Sequence, residues 1–234
     1  MMPKAVIFDW AGTLIDPGCY APVRAFQTAF GAFGLDVSEA LIRRDMGLGK
    51  RRHTERLLAE PEITRQFKET KGRLPNSDDC EALYLATIEV MAKIARDYAT
   101  PVPGAANTLS ELQRQGVAIG STTGYSRHVM DEIIPLAASK GIAPEIIVCA
   151  EEVADPRPGP GQIMACLAAL GAGPPERVAK VDDAVSGLMA GRAAGCLTIA
   201  VTHSGNPVSP SDVAQWADGS CESVAGLFDC LATL

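Results

Sequence analysis

The sequence predicts an α/β fold in which an all-helical segment is inserted into a parallel-sheet domain. The first observation is that short apolar segments alternate with helical segments from about residue 100 onward. The second is that residues 20–99 carry helical periodicity and contain no convincing strand. Strands that alternate with helices form βαβ units and a parallel sheet, so the helical stretch reads as an insertion.

Five segments are predicted to be strands of this sheet. They are short, apolar and rich in β-branched residues, as expected of strands that are buried on both faces. They are Ala5–Phe8, Val117–Ser121, Ile146–Cys149, Arg177–Val181 and Leu197–Val201. Helices are predicted near residues 104–115, 125–139, 159–170 and 185–194.

The insertion is predicted from apolar residues at helical spacing. Phe26, Phe30 and Phe33 belong to one such series, and Pro75–Asp79 reads as a turn before another helix, with Ser77 or Asp78 as its N-cap. Thr100–Gly104 reads as a stiff return linker. We therefore predict an α/β core from residues 1–19 and 100–234 and a helical cap from residues 20–99, which could close over the strand ends.

Composition excludes several classes of protein. The 234 residues are 47% hydrophobic and 21% charged, which is typical of a soluble globular protein. A net charge of −7 argues against nucleic acid as a partner. No apolar run is long enough to span a bilayer, and the start lacks signal-peptide features, so no membrane partner and a cytoplasmic location are expected. The seven scattered cysteines fit reduced thiols.

Polar residues follow four of the predicted strands. Asp9 follows the first strand, Ser121-Thr122-Thr123-Gly124 the second, Arg157 lies after the third, and Asp182-Asp183 follow the fourth. Open α/β sheets bind ligands at the carboxyl ends of their strands. Hydroxyls, backbone N–H groups and an arginine suit a phosphate-like anion, and a carboxylate there can be a nucleophile or a metal ligand.

Two carboxylates beside an anion require a cation. Mg²⁺ typically binds through one or two carboxylates together with substrate oxygens, so Asp9 and Asp183 are candidate ligands. Taken singly, each Asp could equally be a turn or capping residue. The four strand ends taken together favour a functional site.

These residues resemble the four motifs of the haloacid dehalogenase superfamily. The motif residues are Phe8–Thr13, Ser121–Tyr125, Arg157 and Val181–Ala184. The resemblance implies a Rossmann-like parallel-sheet core with an inserted all-helical cap domain. Most phosphatases of the superfamily carry an acid two residues after the nucleophile, where this chain has Ala11. That replacement, with Asp16–Pro22 after it, resembles the phosphonatase branch, which cleaves a C–P bond.

The cap contains a segment that fits the same chemistry. A carbanion leaving group needs an electron sink, which a lysine provides by condensing with an aldehyde. Met46-Gly47-Leu48-Gly49-Lys50 places glycines just before a lysine, and His53 follows one helical turn later. Basic neighbours and burial would lower the pKa of Lys50. The segment resembles the phosphonatase loop that carries the Schiff-base lysine.

The resemblance implies a role for each site residue. Asp9 would be the nucleophile and Lys50 the Schiff-base lysine. Mg²⁺ would be held by Asp9, the Ala11 carbonyl and Asp183. A small phosphonate substrate would contact Cys19, Met46, His53, Thr123, Gly124, Tyr125 and Arg157. A homodimer formed through the caps is also implied.

Alternatives stay open at this point. Lys50 could belong to a solvated basic face, because Arg43, Arg44, Arg51 and Arg52 lie nearby in sequence. The protein could be a magnesium-dependent phosphatase of a small phosphate ester, or a catalytically silent relative that binds a phosphorylated metabolite. The chain departs from the family pattern at Pro158–Gly161, at Ala194–Leu197 and in its tail.

Overall fold

A computed structural model describes residues 2–234 and contains one six-stranded parallel sheet. The strands are β1 (Ala5–Phe8), β2 (Ala118–Thr123), β3 (Ile146–Cys149), β4 (Val178–Asp182), β5 (Leu197–Val201) and β6 (Gly219–Cys221). Their order across the sheet is β3-β2-β1-β4-β5-β6. The predicted α/β class and the five predicted strands are confirmed, with β2 and β4 each ending one or two residues later than expected.

The strand order puts β1 in the middle of the sheet. Phe8 pairs with Ser121 of β2 on one side and with Val181 of β4 on the other. Asp9, the next residue, therefore lies at the carboxyl edge between the ends of its two neighbours. Such a position, where connections leave in opposite directions, is where open parallel sheets form a crevice.

Five helices lie within the predicted insertion, residues 20–99. They are α1 (Tyr20–Ala32), α2 (Glu39–Arg44), α3 (Lys50–Leu58), α4 (Pro61–Lys71) and α5 (Ser77–Ile94). Helix α1 packs against α5, and both contribute to the core through fully buried side chains such as Phe26, Phe30 and Met91. Burying each such side chain contributes roughly 1.5–3 kcal/mol. The helical character of the insertion matches the prediction, whereas its borders at 19/20 and 99/100 stay a prediction.

The N-cap of α5 was predicted wrongly. Asn76, not Ser77 or Asp78, accepts the N–H of Asp79, and the Asp79 side chain accepts the N–H of Asn76 in return. This reciprocal capping box satisfies two backbone donors, so the helix begins one residue earlier than the serine suggested.

The remaining helices cover the sheet and form the tail. They are α6 (Ala105–Arg114), α7 (Arg127–Ala138), α8 (Gly161–Leu170), α9 (Val185–Ala194), α10 (Pro210–Trp216) and α11 (Leu227–Thr233). No element was predicted after Val201, where the chain forms α10, β6 and α11. Leu227 and Leu231 of α11 are buried, so apolar packing orders this segment. Within residues 2–234, no helix combines the length and apolar character that a membrane crossing requires.

Candidate active site

A tight turn fixes Asp9 at the end of β1. The Asp9 N–H donates to the Val181 carbonyl (3.0 Å), and the Trp10 carbonyl accepts the N–H groups of Thr13, Leu14 and Ile15. The indole N–H of Trp10 donates to the Ser121 hydroxyl at 2.9 Å. The turn is therefore anchored on both neighbouring strands, and the Asp9 carboxylate is held in place.

Gly12 allows this turn to approach the rest of the site. Its φ is 92°, and a Cβ there would lie 2.7 Å from the Cα of Gly205 and closer still to the Asp183 carboxylate. Positive φ and this crowding both require glycine. The turn after β1 can thus lie directly against Asp183.

Arg157 is buried behind Asp9. Its guanidinium donates to Asp9 Oδ1 at 2.7 Å and to the carbonyl and hydroxyl oxygens of Thr122, each at 2.5 Å. It also lies 3.4 Å from Asp182 Oδ2. Burial opposes the charge on Arg157, but Asp182 and Asp9 outweigh it and raise its pKa, so this side chain is a fixed cation beside Asp9.

Asp182 has partners on both of its oxygens. Oδ1 accepts the N–H of Ala184 at 2.9 Å, and Oδ2 lies 2.7 Å from the Nζ of Lys180, which is fully buried on the same strand. Burial lowers the pKa of Lys180, and the nearby Asp182 partly offsets this effect. The Lys180 ammonium thus balances the charge of Asp182, and Asp182 in turn lies next to the Arg157 guanidinium.

Asp183 is oriented by two donors. The Thr13 hydroxyl donates to Oδ1 and the Asn206 backbone N–H to Oδ2, both at 2.7 Å. Burial and then the Asp9 carboxylate raise the pKa of Asp183 well above its usual value. Burial, followed by the charge of Asp182, likewise raises the pKa of Asp9. Burial therefore disfavours the ionised forms of both acids.

Lys50 brings an amine from the cap to this edge. It is the first residue of α3 and is only 4% exposed. Its Nζ lies 5.3 Å from the centre of the Tyr125 ring. Burial, to which the Arg157 charge adds, lowers the pKa of Lys50 to about 8, although Cys19 and Asp9 act in the opposite direction. The alternative of a solvated lysine is therefore wrong.

Lys50 and Asp9 line one small cavity of about 20 Å³. That is room for roughly one water molecule. The other predicted site residues on its wall are Ala11, Cys19, Met46, Thr123, Gly124, Tyr125 and Asp183. A second cavity of about 290 Å³ adjoins it and shares Lys50 and Gly124, with Arg157 on its own wall. In this conformation the inner cavity is too small for an organic ligand.

The cap and the core touch closely around this cavity. The Ser186 hydroxyl donates to the Met46 carbonyl at 3.0 Å. A Cβ on Gly124 would lie 2.6 Å from the Leu48 carbonyl oxygen, so only glycine permits the contact at this strand end. These contacts hold the loop that carries Lys50 against the ends of β2 and β4.

Comparison with known proteins identifies the family. A family model described as haloacid dehalogenase-like hydrolase matches residues 3–195. The chain belongs to the haloacid dehalogenase-like hydrolases. It is therefore an enzyme of the hydrolase class, as predicted.

Individual relatives of this hydrolase carry a more specific name. The chain is 38% identical to the phosphonoacetaldehyde hydrolase of Pseudomonas fluorescens (strain SBW25), over 87% of this chain and 74% of the relative. It is 40% identical to that of Hahella chejuensis (strain KCTC 2396), over 89% and 71%. A crystal structure of a phosphonoacetaldehyde hydrolase-like protein from Oleispira antarctica superposes with a TM-score of 0.91 at 30% identity, covering 97% of this chain and 90% of that one.

The hydrolase brings most of the predicted site residues together. Arg157 lies beside Asp9 and lines the adjoining cavity. His53 is the exception, because it is fully buried, its ring centre lies 4.3 Å from that of Phe26, and it is absent from the inner cavity wall. Neither of its ring nitrogens has a hydrogen-bond partner among residues 2–234. Burial lowers the pKa of His53 well below its usual value, so the ring is neutral.

Lys180, Asp182 and Asn206 were missed as members of the site of this hydrolase. A lysine inside an otherwise apolar strand was a signal for Lys180, and Asp182 stood beside the assigned Asp183. Asn206 lies shortly after the fifth predicted strand, so its position at a strand end was a signal. It was passed over because the surrounding stretch is rich in Ser, Pro and Gly.

Proposed function

We propose that this haloacid dehalogenase-like hydrolase cleaves the C–P bond of phosphonoacetaldehyde, giving acetaldehyde and phosphate. The observation that carries the proposal is the shared cavity wall: a buried amine, Lys50, faces a buried carboxylate, Asp9, where Ala11 offers no acid. The names of the relatives support the same substrate.

Lys50 would act first. Its lowered pKa of about 8 leaves a useful fraction of free amine near neutral pH. The amine adds to the aldehyde carbon, water leaves, and an iminium forms that can accept an electron pair. Burial raises the pKa of the Cys19 thiol and of the Tyr125 phenol well above their usual values. These two neighbours of Lys50 therefore stay neutral.

Asp9 would then attack phosphorus. The C–P bonding pair moves into the iminium to give an enamine, and an aspartyl phosphate forms on Asp9. The Arg157 guanidinium, the Thr123 hydroxyl and the Gly124 N–H would bind the phosphoryl oxygens and stabilise the developing charge. The enamine takes up a proton at carbon, one water releases acetaldehyde from Lys50, and another releases phosphate from Asp9.

The donor set fits a magnesium ion. Oxygen atoms of Asp9, Asp182 and Asp183 lie within 4.8 Å of one another, and all three residues are buried. Asp182 is committed to Lys180 and Ala184, whereas Asp9 and Asp183 both line the inner cavity. Hard oxygen donors of this kind suit Mg²⁺. Asp9, the Ala11 carbonyl and Asp183 would hold the ion, which would neutralise charge between the carboxylates and the phosphonate.

Borohydride trapping tests the proposal. The protein is incubated with phosphonoacetaldehyde and Mg²⁺, reduced, digested and mapped by mass spectrometry. We expect a two-carbon adduct on Lys50 and none on Lys180, the other fully buried lysine near Asp9. The unreduced enzyme should release phosphate and acetaldehyde in equal amounts.

Two controls separate the proposal from its alternatives. Lys50→Arg keeps the positive charge but cannot form the iminium, so it should abolish C–P cleavage. Ethylphosphonate, which has no carbonyl group, should not be cleaved. Full turnover by Lys50→Arg would refute the mechanism, and steady hydrolysis of small phosphate esters without an aldehyde would favour the phosphatase alternative.

Two further properties stay predictions. They are a homodimer formed through the helical insertion and a cytoplasmic location. Analytical ultracentrifugation of the full chain tests the first, and cell fractionation tests the second.

A further inference from the structure

The loop that follows β5 contacts the turn after β1, Asp183 and the helical insertion. Residues Ser204–Asn206, here named the β5 loop, connect β5 to α10. The Ser204 hydroxyl donates to the Gly12 carbonyl at 2.7 Å, and its carbonyl accepts the Gly18 N–H at 2.8 Å. The loop is thus fixed to both ends of the turn that begins at Asp9.

Asn206 connects the core to the cap. Its backbone N–H donates to Asp183 Oδ2 at 2.7 Å. Its side-chain oxygen accepts from the Arg43 guanidinium at 3.3 Å, and its amide donates to the Arg43 carbonyl at 3.4 Å. One residue therefore holds a candidate metal ligand with its backbone and the cap helix α2 with its side chain.

Arg43 is positioned for this contact by three other interactions. It pairs with Glu39 one turn earlier at 2.7 Å, donates to the Gly18 carbonyl at 3.0 Å, and lies over the Tyr20 ring at 5.4 Å. Arg44, the next residue, pairs only with Asp45 and Glu60 of the cap among the described residues. The two arginines are neighbours, but only Arg43 reaches the β5 loop.

We propose that Asn206 is a positioning residue that couples closure of the cap to Mg²⁺ binding at Asp183. The inference rests on the proposed function for its metal. Groups that orient a ligating carboxylate typically change metal affinity by 10–100-fold when they are altered. Because Arg43 leaves when the cap opens, Asn206 loses its side-chain anchor at that moment and Asp183 is held less firmly.

Coupling of this kind is reciprocal. If closure strengthens Mg²⁺ binding, then Mg²⁺ must favour closure by the same factor. The closed form, in which Lys50 and Asp9 line the same cavity, would then also be the form that binds Mg²⁺ most tightly. The contacts of Arg44, which stay within the cap, would not change the affinity for Mg²⁺.

Calorimetric titration with Mg²⁺ in the absence of substrate tests the proposal. Four variants are compared with the unchanged protein: Asn206→Ala, Arg43→Met, the double variant, and Arg44→Met as the matched control. We expect Asn206→Ala and Arg43→Met each to weaken Mg²⁺ binding about tenfold. The double variant should be no weaker than Asn206→Ala alone, because Asn206→Ala already removes both contacts with Arg43, that to its guanidinium and that to its backbone carbonyl. Arg44→Met should bind like the unchanged protein.

The outcomes separate this inference from the proposed function. Unchanged Mg²⁺ affinity in Asn206→Ala and Arg43→Met, or additive losses in the double variant, would overturn the coupling while leaving the metal site intact. No Mg²⁺ binding by the unchanged protein would overturn the metal assignment itself and the coupling with it. Asn206→Ala could fail to fold, which its urea midpoint without Mg²⁺ would show. In that case the Mg²⁺ affinity of Arg43→Met, compared with that of Arg44→Met, still decides whether the coupling exists.

Discussion

Replacing Lys50 by methionine should make the protein more stable and inactive. Lys50 is buried, and among the described residues no carboxylate oxygen lies within 4.0 Å of its Nζ. Methionine retains most of the side-chain volume without the charge. Enzymes commonly lose stability at active sites in this way, because catalysis requires groups that folding disfavours.

The size of the gain follows from the pKa of Lys50. That pKa falls from 10.5 to about 8 on folding. At about 1.4 kcal/mol for each pKa unit, the charged amine destabilises the folded state by about 3 kcal/mol at pH 7. The same shift increases the free-amine fraction at pH 7 by roughly 300-fold over an ordinary lysine.

The pH dependence has a definite sign. Below pH 8 the amine is protonated in both the folded and the unfolded states, so the full penalty applies. Between pH 8 and 10.5 the unfolded state binds more protons, and the stability of the unchanged protein rises relative to that of the variant. The advantage of Lys50→Met should therefore fall to less than half by pH 9.5.

Urea unfolding at pH 7 and pH 9.5 measures both quantities. Lys180→Met is the matched comparison, because Lys180 is equally buried but lies 2.7 Å from Asp182. Removing it leaves the buried Asp182 carboxylate with only the more distant Arg157 as a cation and should destabilise the protein, by up to about 3–5 kcal/mol. If Lys50→Met is no more stable than the unchanged protein at pH 7, or its gain does not depend on pH, the reasoning about Lys50 is refuted.

Three other predictions concern the remaining parts of the site. Gly124→Ala should lower kcat/KM about tenfold or more, because the Cβ of the new alanine would lie 2.6 Å from the Leu48 carbonyl oxygen and keep the cap from closing. An unchanged kcat/KM in steady-state assays would contradict this. Arg157→Lys keeps the charge but cannot reach both Asp9 and Thr122, so kcat should fall by about 10²–10³, and a smaller effect would show that charge alone suffices. Chelation of Mg²⁺ by EDTA should stop phosphate release, and added Mg²⁺ should restore it; activity that persists in EDTA would refute the metal requirement.

The sequence was sufficient to predict five of the six strands of the sheet and the gathering of the four strand ends. Asp9, Thr123 and Asp183 follow apolar strands, and parallel strands bring such ends to one edge whatever the connections look like. Residues farther from a strand were harder to place. His53 was expected beside the imine, and this stays a prediction: its ring packs against Phe26 and is not on the inner cavity wall, since helical spacing does not say how a helix is rotated.

Local rules also gave an incomplete account. Ser77 looked like a helix cap, but Asn76 takes that role through its exchange with Asp79. No element was predicted in the tail, whose first part is rich in Ser, Pro and Gly, whereas its later apolar residues form α11 against the sheet. Such segments are ordered by contacts with distant residues, which composition does not record.

The turn after β1 shows where the two kinds of information divide. The sequence by itself determined that a carboxylate, Asp9, ends a buried strand, that Ala11 offers no acid, and that a lysine lies in a helical insertion. Only the tertiary structure decided that Lys50 is buried against Asp9, that Lys180 and Arg157 engage Asp182, and that Asn206 joins Asp183 to the cap. The physical reason is that hydrophobic periodicity sets which residues form each element, whereas burial, charge pairing and pKa depend on distances between elements that only packing fixes.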